Sequence, residues 1–379
     1  MTNLKHDCYP IFVKLLSGII FVALMTNPAS AEEMDHSDHD MSRHSAHTGA
    51  AAHIHHSHGE GDWMVEYRFM RMSMDGLLNG TSSVGTRDIS GVLVPPPMPP
   101  LSDPSKDYRM APTEMTMDMH MLMLMYGFTE RLSLMVMGSY LDNEMDMVMH
   151  MNNMSGMPVM DMFGTMKTDG IGDTLLGVMY KLDLRWTASF SVSLPTGGID
   201  ERVDMVMSGI NPMGMPVSMT NSNVKAGYPM QLGSGTYDLI PGITYSNHSD
   251  RFGWGFQASY TWRLDENDND YTLGDVAEVF GWTKYVLSPN VLISGKANYR
   301  DWGRIDGQDP EIPPAMSPVN DPAATGGRRL DLSLGLNGFF GDGHSVGIEF
   351  GVPVYQDLNG PQMETDWIVS LAYQFMRMN

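Results

Sequence analysis

The sequence predicts an all-β chain: a transmembrane, antiparallel, up-and-down β-barrel of about twelve strands behind a disordered N-terminal tail. Three observations predict it. From Trp63 onward, segments of about ten residues alternate polarity with the period of a strand, and that length crosses a bilayer when tilted. The connections between them are alternately short and long. One face of each segment is aliphatic with aromatics near its ends, while the other is small and polar. A soluble β-sandwich also alternates, but its outer face would carry more Lys and Glu.

Residues 1–31 read as a secretory signal. Lys5 and Lys14 are basic, Leu15 to Met25 is apolar, and Ala29-Ser30-Ala31 is a small-residue cleavage site. The apolar core is short for an uncleaved anchor helix. The only cysteine, Cys8, leaves with the signal, so the exported chain has neither disulfide nor thiolate. Residues 32–62 form a His-rich periplasmic tail that lacks aromatics and nearly lacks the large aliphatics that a core needs, and disorder is expected there. Residues 63–379 are assigned to the outer-membrane barrel.

The strand segments follow in order. Trp63, Val65, Tyr67 and Phe69 alternate with Met64, Glu66, Arg68 and Met70. The stretch from Glu114 to Tyr126 has methionine at every second position. Leu132, Leu134 and Val136 alternate with Ser133, Met135 and Met137, and Phe190 and Val192 with Ser189, Ser191 and Ser193. The same pattern recurs around Phe252–Trp262, Val291–Tyr299, Leu330–Leu336, Val346–Val354 and Trp367–Phe375. Short turns at 127–130, 182–184, 247–250, 287–290 and 341–343 belong on the periplasmic side. Long outer loops are expected at 73–113, 142–169, 196–236, 264–273, 302–327 and 356–364.

The stretches GIGDTLLGVMYKL (170–182), SLPTGG (193–198), GTYDLIPGITYS (235–246) and DWIVSLAYQF (366–375) resemble the outer-membrane barrel family labelled after the MetA pathway of phenol degradation. The resemblance covers most of 63–375 and rests on turn glycines and strand ends. It implies a passive channel for small molecules, aromatic ones included. This chain departs from the family in its methionine load and His-rich tail, and it ends MRMN after the terminal aromatic.

The methionines carry the chemistry. The chain has 38 Met among 379 residues, close to its 39 Gly. If the segment is a strand, Met115, Met117, Met119, Met121, Met123 and Met125 share one face. With Leu122, Leu124 and Tyr126 toward lipid, that face lines the lumen, joined by Met64, Met70, Met72, Met74, Met135, Met137 and Met179. Methionine also fills the expected outer loops at 143–166 and 203–219, including Met145, Met147, Met149 and Met151, where flexible M-x-M strings resemble the motifs of exported copper-handling proteins. Thioethers are soft ligands suited to Cu(I), though Met also serves as an adaptable apolar filler. Imidazoles suit Cu(II), Zn or Ni; His36, His39, His44, His47, His53, His55, His56 and His58 crowd the tail, and His120 and His150, each flanked by Met, are expected to join mixed Met/His sites.

The leading expectation is therefore an outer-membrane barrel that binds and passes soft metal, most of all copper, as Cu(I) at Met and Cu(II) at His, with no cofactor required. The alternatives are a passive channel for small apolar or aromatic compounds and a static metal-sequestering surface protein. Expected partners are outer-membrane lipid, the metal or small-molecule cargo and a periplasmic metal carrier. The net charge of −22 argues against nucleic acid. No nucleophile elbow, H-E-x-x-H or phosphate loop suggests an enzyme.

Overall fold

A computed structural model describes residues 58–94 and 101–378. The secretory signal and His36, His39, His44, His47, His53, His55 and His56 lie outside the described residues. Each alternating segment forms a strand whose apolar side chains point out. The main strands are β1 (Trp63–Gly80), β2 (Ala111–Gly127), β3 (Leu132–Asn152), β4 (Pro158–Ile171), β5 (Thr174–Lys181), β6 (Trp186–Leu194), β7 (Arg202–Ile210), β8 (Pro216–Lys225), β9 (Tyr237–His248), β10 (Phe252–Leu264), β11 (Val276–Ser288), β12 (Val291–Trp302), β13 (Gly327–Phe340) and β14 (His344–Arg377).

The barrel closes antiparallel. β14 folds back on itself: its first half pairs with β13 and its second with β1, starting from Trp63↔Arg377. The lower part of β3 pairs with β5 and its upper part with β4, so β4 and β5 make one stave interrupted at Gly172-Asp173. Counting β4 with β5 once and β14 twice, and omitting β7 and β8, about twelve staves close the cylinder, as the alternation predicts. The short turns and both described chain ends lie at one rim.

Two expected outer loops are instead strands. Residues 143–166 lie mostly in β3 and β4, which rise above the barrel as a hairpin paired from Tyr140↔Ile171 to Asn152↔Pro158. Residues 202–225 form a second hairpin, β7–β8, that joins the first through Ser208↔Phe163 and Gly209↔Met162. The reason is local. M-x-M repeats with Asp, Thr or Val between them have the period of a strand, and a second Met face lets them stay strands beyond the bilayer. Gly164 allows the hairpins to approach, because a Cβ there would lie 2.5 Å from the Met207 sulfur.

The last part of the expected tail is also ordered. The His58 amide donates to Ser133 Oγ at 2.8 Å, and the Gly61 amide donates to the Gly127 carbonyl at 2.9 Å. Gly127 must be glycine, since a Cβ would sit 1.8 Å from the Gly59 carbonyl oxygen.

The exterior suits a bilayer. Leu122, Leu124, Leu134, Val136, Leu176, Val178, Phe190, Leu334, Ile348 and Leu371 are exposed. Ring clusters gather at the short-turn rim: Trp63 against Phe375, Trp186 against Tyr245 and Phe256, and His344 between Phe340 and Tyr373. Such girdles mark a membrane interface. The protein is an outer-membrane β-barrel. Val136 stands four residues above its turn, near the middle of the apolar band. Val136→Arg should lower the stability of the folded barrel in lipid by about 2–4 kcal/mol, read from the urea midpoint of refolding into vesicles. A shift no larger than that of Val136→Ala would contradict the lipid-facing assignment.

Candidate functional site

The lumen has two unlike walls. On β6 and β9–β14 it is polar: Ser191, Ser193, Thr244, Gln257, Ser294, Ser333, Asn337 and Ser345 are buried. Several of its charges are paired across or along the strands. Arg263 bonds Asp238, Lys296 bonds Glu349 at 2.5 Å, and Arg329 bonds Asp331 at 3.0 Å. β11 adds an aromatic pair to this wall, Phe280 and Trp282, with ring centroids 5.7 Å apart. The other wall, on β1 to β5, is methionine.

Register builds that wall in rows. At the short-turn end Met376, Met64, Met125 and Met135 are directly opposed across four neighbouring staves. Further up, Met74, Met115, Met145 and Met166 form a second four-stave row. Between them stand Met123 opposite Met137, Met70 opposite Met119, and Met72 opposite Met117. Both four-methionine rows are buried in separate clusters. The lower includes Met123 and Met179; the upper takes in Met147, Met149, Met151, Met162, Met205, Met207 and Met230. The rows lie about ten residues apart on β1, roughly 33 Å at the strand rise. Glu66 and Arg68, paired at 2.9 Å, interrupt the ladder between them.

All six ladder methionines from Met115 to Met125 therefore line the interior, as do Met145, Met147, Met149 and Met151. Met64, Met74, Met135, Met166 and Met376 complete the rows, and their membership depends on cross-strand register. For Met376 the parity of Ala372, Gln374 and Met376 was the available signal.

His120 departs from expectation. Its even position turns it away from the ladder to the outer face, where Nδ1 lies 2.8 Å from the Tyr67 hydroxyl and the ring packs on Phe69. His150 is likewise out of step with Met149 and Met151. Its Nδ1 meets Asp161 at 2.8 Å and its Nε2 meets Thr86 Oγ1 at 2.9 Å, on the short helix Thr86–Ile89. Both ring nitrogens have protein partners, so His150 serves as a structural tie in this structure. Among the described residues no three His, Cys, Asp or Glu side chains come together as a metal site.

Four connections, between Gly80 and Ala111, Lys225 and Tyr237, Leu264 and Val276, and Trp302 and Gly327, meet at the extracellular end. Tyr228, Tyr271 and Ile312 pack together, and Val319 enters the upper methionine cluster. The Met110 amide donates to the Met316 carbonyl at 3.0 Å, and the Tyr108 hydroxyl donates to Asp321 at 2.9 Å. Lys225, only 1% exposed at its side chain, bridges Asp200 and Asp309 at 2.6 Å each. Beneath this cover lies a cavity of about 170 Å³. Met72, Met74, Met115 and Met145 form one side; Trp302, Val319 and Leu358 add apolar surface; Arg329, Gln356 and Thr365 supply polar groups. Arg329 Nη1 donates to Thr365 Oγ1 at 2.7 Å.

No protein-family model matches the chain, and no curated protein matches it. Its fold is similar to that of an outer-membrane channel from Pseudomonas putida F1, with TM-score 0.51 and 13% identity over 91% of this chain and 100% of the other. The toluene transporter TbuX of Ralstonia pickettii aligns at TM-score 0.44 and 10% identity over 88% and 97% of the two chains. A mutant of the TodX monoaromatic hydrocarbon channel aligns at 0.47 and 10% over 84% and 91%. At these identities the likeness is one of fold, and the two lower scores add no weight.

The Lys225 bridge makes the cover pH-sensitive. The hydrogen bond from Lys225 holds Asp200 below the usual carboxylate range. Burial works against the Lys225 charge, but its hydrogen bonds to Asp200 and Asp309 outweigh it and hold the ammonium above its ordinary value. The carboxylate contribution is present above the unfolded pKa and lost as pH falls through the folded one. The lysine contribution is present below its unfolded pKa and lost as pH rises through its folded one. Proteolytic nicking of 303–326 should therefore be slowest between about pH 5 and pH 10 and faster on either side. Lys225→Met leaves Asp309 buried without its cation, and should loosen the cover by roughly 3–5 kcal/mol, read as faster nicking at pH 7. Equal nicking of both proteins would reject the bridge as the fastening.

Proposed function

We propose that this barrel is a passive outer-membrane channel for small apolar or aromatic compounds. The observation that carries the reading is the cavity of about 170 Å³ walled by methionine beneath the extracellular cover. Cavities near 150 Å³ with apolar walls take up benzene-sized molecules. Thioethers favour aromatic rings by about 0.3–1.5 kcal/mol per contact and adapt to different outlines. A ladder of such weak sites lets a solute both enter and leave, as conduction requires.

The polar wall supports the same reading from the other side. Several of its charges are paired internally, among them Lys296 with Glu349 and Arg329 with Asp331, which withdraws those groups from exchange with a sugar or ion. Phe280 and Trp282 add a ring surface facing the lumen. The TbuX and TodX proteins are described as a toluene transporter and a monoaromatic hydrocarbon channel; the fold likeness to them adds no specificity. A second reading, passage of soft metal ions, draws on the same methionine wall.

Liposomes containing the barrel should take up toluene or phenol faster than empty liposomes, with little gain for a disaccharide. Met115→Trp, which fills the cavity, should cut aromatic uptake by on the order of tenfold. Uptake equal to empty liposomes would overturn the channel reading, and uptake unaffected by Met115→Trp would remove the cavity from the route.

A further inference from the structure

The rows bring together sulfurs that the sequence keeps far apart. Met376 and Met64 are separated by nearly the whole barrel in sequence, yet they are opposed residues in its closing ladder. Directly opposed side chains have Cβ atoms roughly 4.5–5.5 Å apart. The methionine side chain is unbranched with three rotatable bonds, so neighbouring thioethers in a row can converge on one ion. A channel for aromatic compounds needs only an apolar wall, and leucine would provide it. On these same staves leucine faces outward at Leu122, Leu124 and Leu134 and inward at Leu141 and Leu175, while every inward position of the two rows is methionine.

We propose that the two four-methionine rows, Met64–Met125–Met135–Met376 and Met74–Met115–Met145–Met166, are binding sites for a soft monovalent cation of the Cu(I) class. Roughly two or three thioethers of a row hold the ion. Thioethers are neutral and soft, so a row does not compete for Mg²⁺ or Ca²⁺, which take oxygen ligands. Binding is reversible and releases no proton, because a thioether carries none.

The surroundings fit this chemistry. Both rows lie within clusters of buried methionine, where bulk water does not compete for the ion. At the lower row Gln374 Nε2 donates to the Met64 sulfur, leaving Met125, Met135 and Met376 to supply the ligands. His58, the last residue of the histidine-rich stretch, is fixed at this end by the hydrogen bond its backbone N–H donates to Ser133 Oγ, two residues from Met135. The lower row therefore stands where the tail joins the barrel. At the upper row Met115 and Met145 are both buried and also form part of the cavity wall.

Ag(I), which is soft, monovalent and redox-stable, is the probe. The full exported chain in detergent is titrated with Ag(I) and its bound metal counted after gel filtration. Met74→Leu/Met115→Leu/Met145→Leu/Met166→Leu and Met64→Leu/Met125→Leu/Met135→Leu/Met376→Leu should each lose about one equivalent. The exposed-tip control Met154→Leu/Met157→Leu should lose none from the rows. A tail present in every variant contributes equally and cancels. If a quadruple variant fails to fold, Met115→Leu/Met145→Leu and Met125→Leu/Met135→Leu replace them, with an affinity loss of tenfold or more expected. Ag(I) should also protect the row methionines from peroxide oxidation, read by peptide mass.

Unchanged stoichiometry, affinity and protection in the variants of a row would overturn the assignment of that row.

Discussion

The structure depends on one constraint: an unbroken antiparallel register closed from Trp63↔Arg377 around to the same strand. In a strand, neighbouring side chains point to opposite faces. A one-residue slip anywhere in the first staves would exchange methionine for leucine on the lumen and carry Glu66 and Arg68 into lipid. Closure forbids the slip, because each stave is held on both sides and the cylinder has no free edge within the membrane. The bilayer enforces the same choice. A polar face toward hydrocarbon is far costlier than a polar face toward the lumen.

That sorting gives the lumen its asymmetry. One wall has flexible thioethers that accept many shapes, whereas the other has short hydroxyls and internally paired charges. The first wall continues above the membrane because β3 and β4 do, and the β7–β8 hairpin brings Met205 and Met207 to the upper cluster. The extracellular cover closes over this same region. It is fastened partly by apolar packing at Tyr228, Tyr271 and Ile312, and partly by the buried Lys225 bridge. Burial pushes the Tyr271 hydroxyl up to about 12, in keeping with a neutral phenol inside that packing.

The methionine wall admits both readings through one property. A polarizable sulfur on an unbranched chain packs against an aromatic ring and also donates a lone pair to a soft cation. Packing requires only that the side chains be apolar and adaptable. Metal binding requires that several sulfurs meet, which is a statement about rows across strands rather than about any one strand. The two functions therefore separate under leucine substitution, which preserves the first property and removes the second.

The strands were legible in the sequence because period two is local: each residue's face follows from its neighbours' polarity. Barrel class, about twelve staves, the inward set Met115 to Met125 and the outward Leu122, Leu124 and Tyr126 all follow from that rule. The same rule, applied to His120, would have set it outside the ladder; the flanking methionines drew it toward a mixed site, and the structure places it against Tyr67 and Phe69. Residues 143–166 and 203–219 fall where the alternation of short and long connections predicts outer loops, although their own M-x-M alternation has a strand's period. What only the tertiary structure decided is register between staves. Which methionine faces which, how His150 is tied by Asp161 and Thr86, and where the cover meets the wall depend on contacts between segments far apart in the chain. Periodicity acts within a strand, but proximity between strands arises only when the cylinder closes.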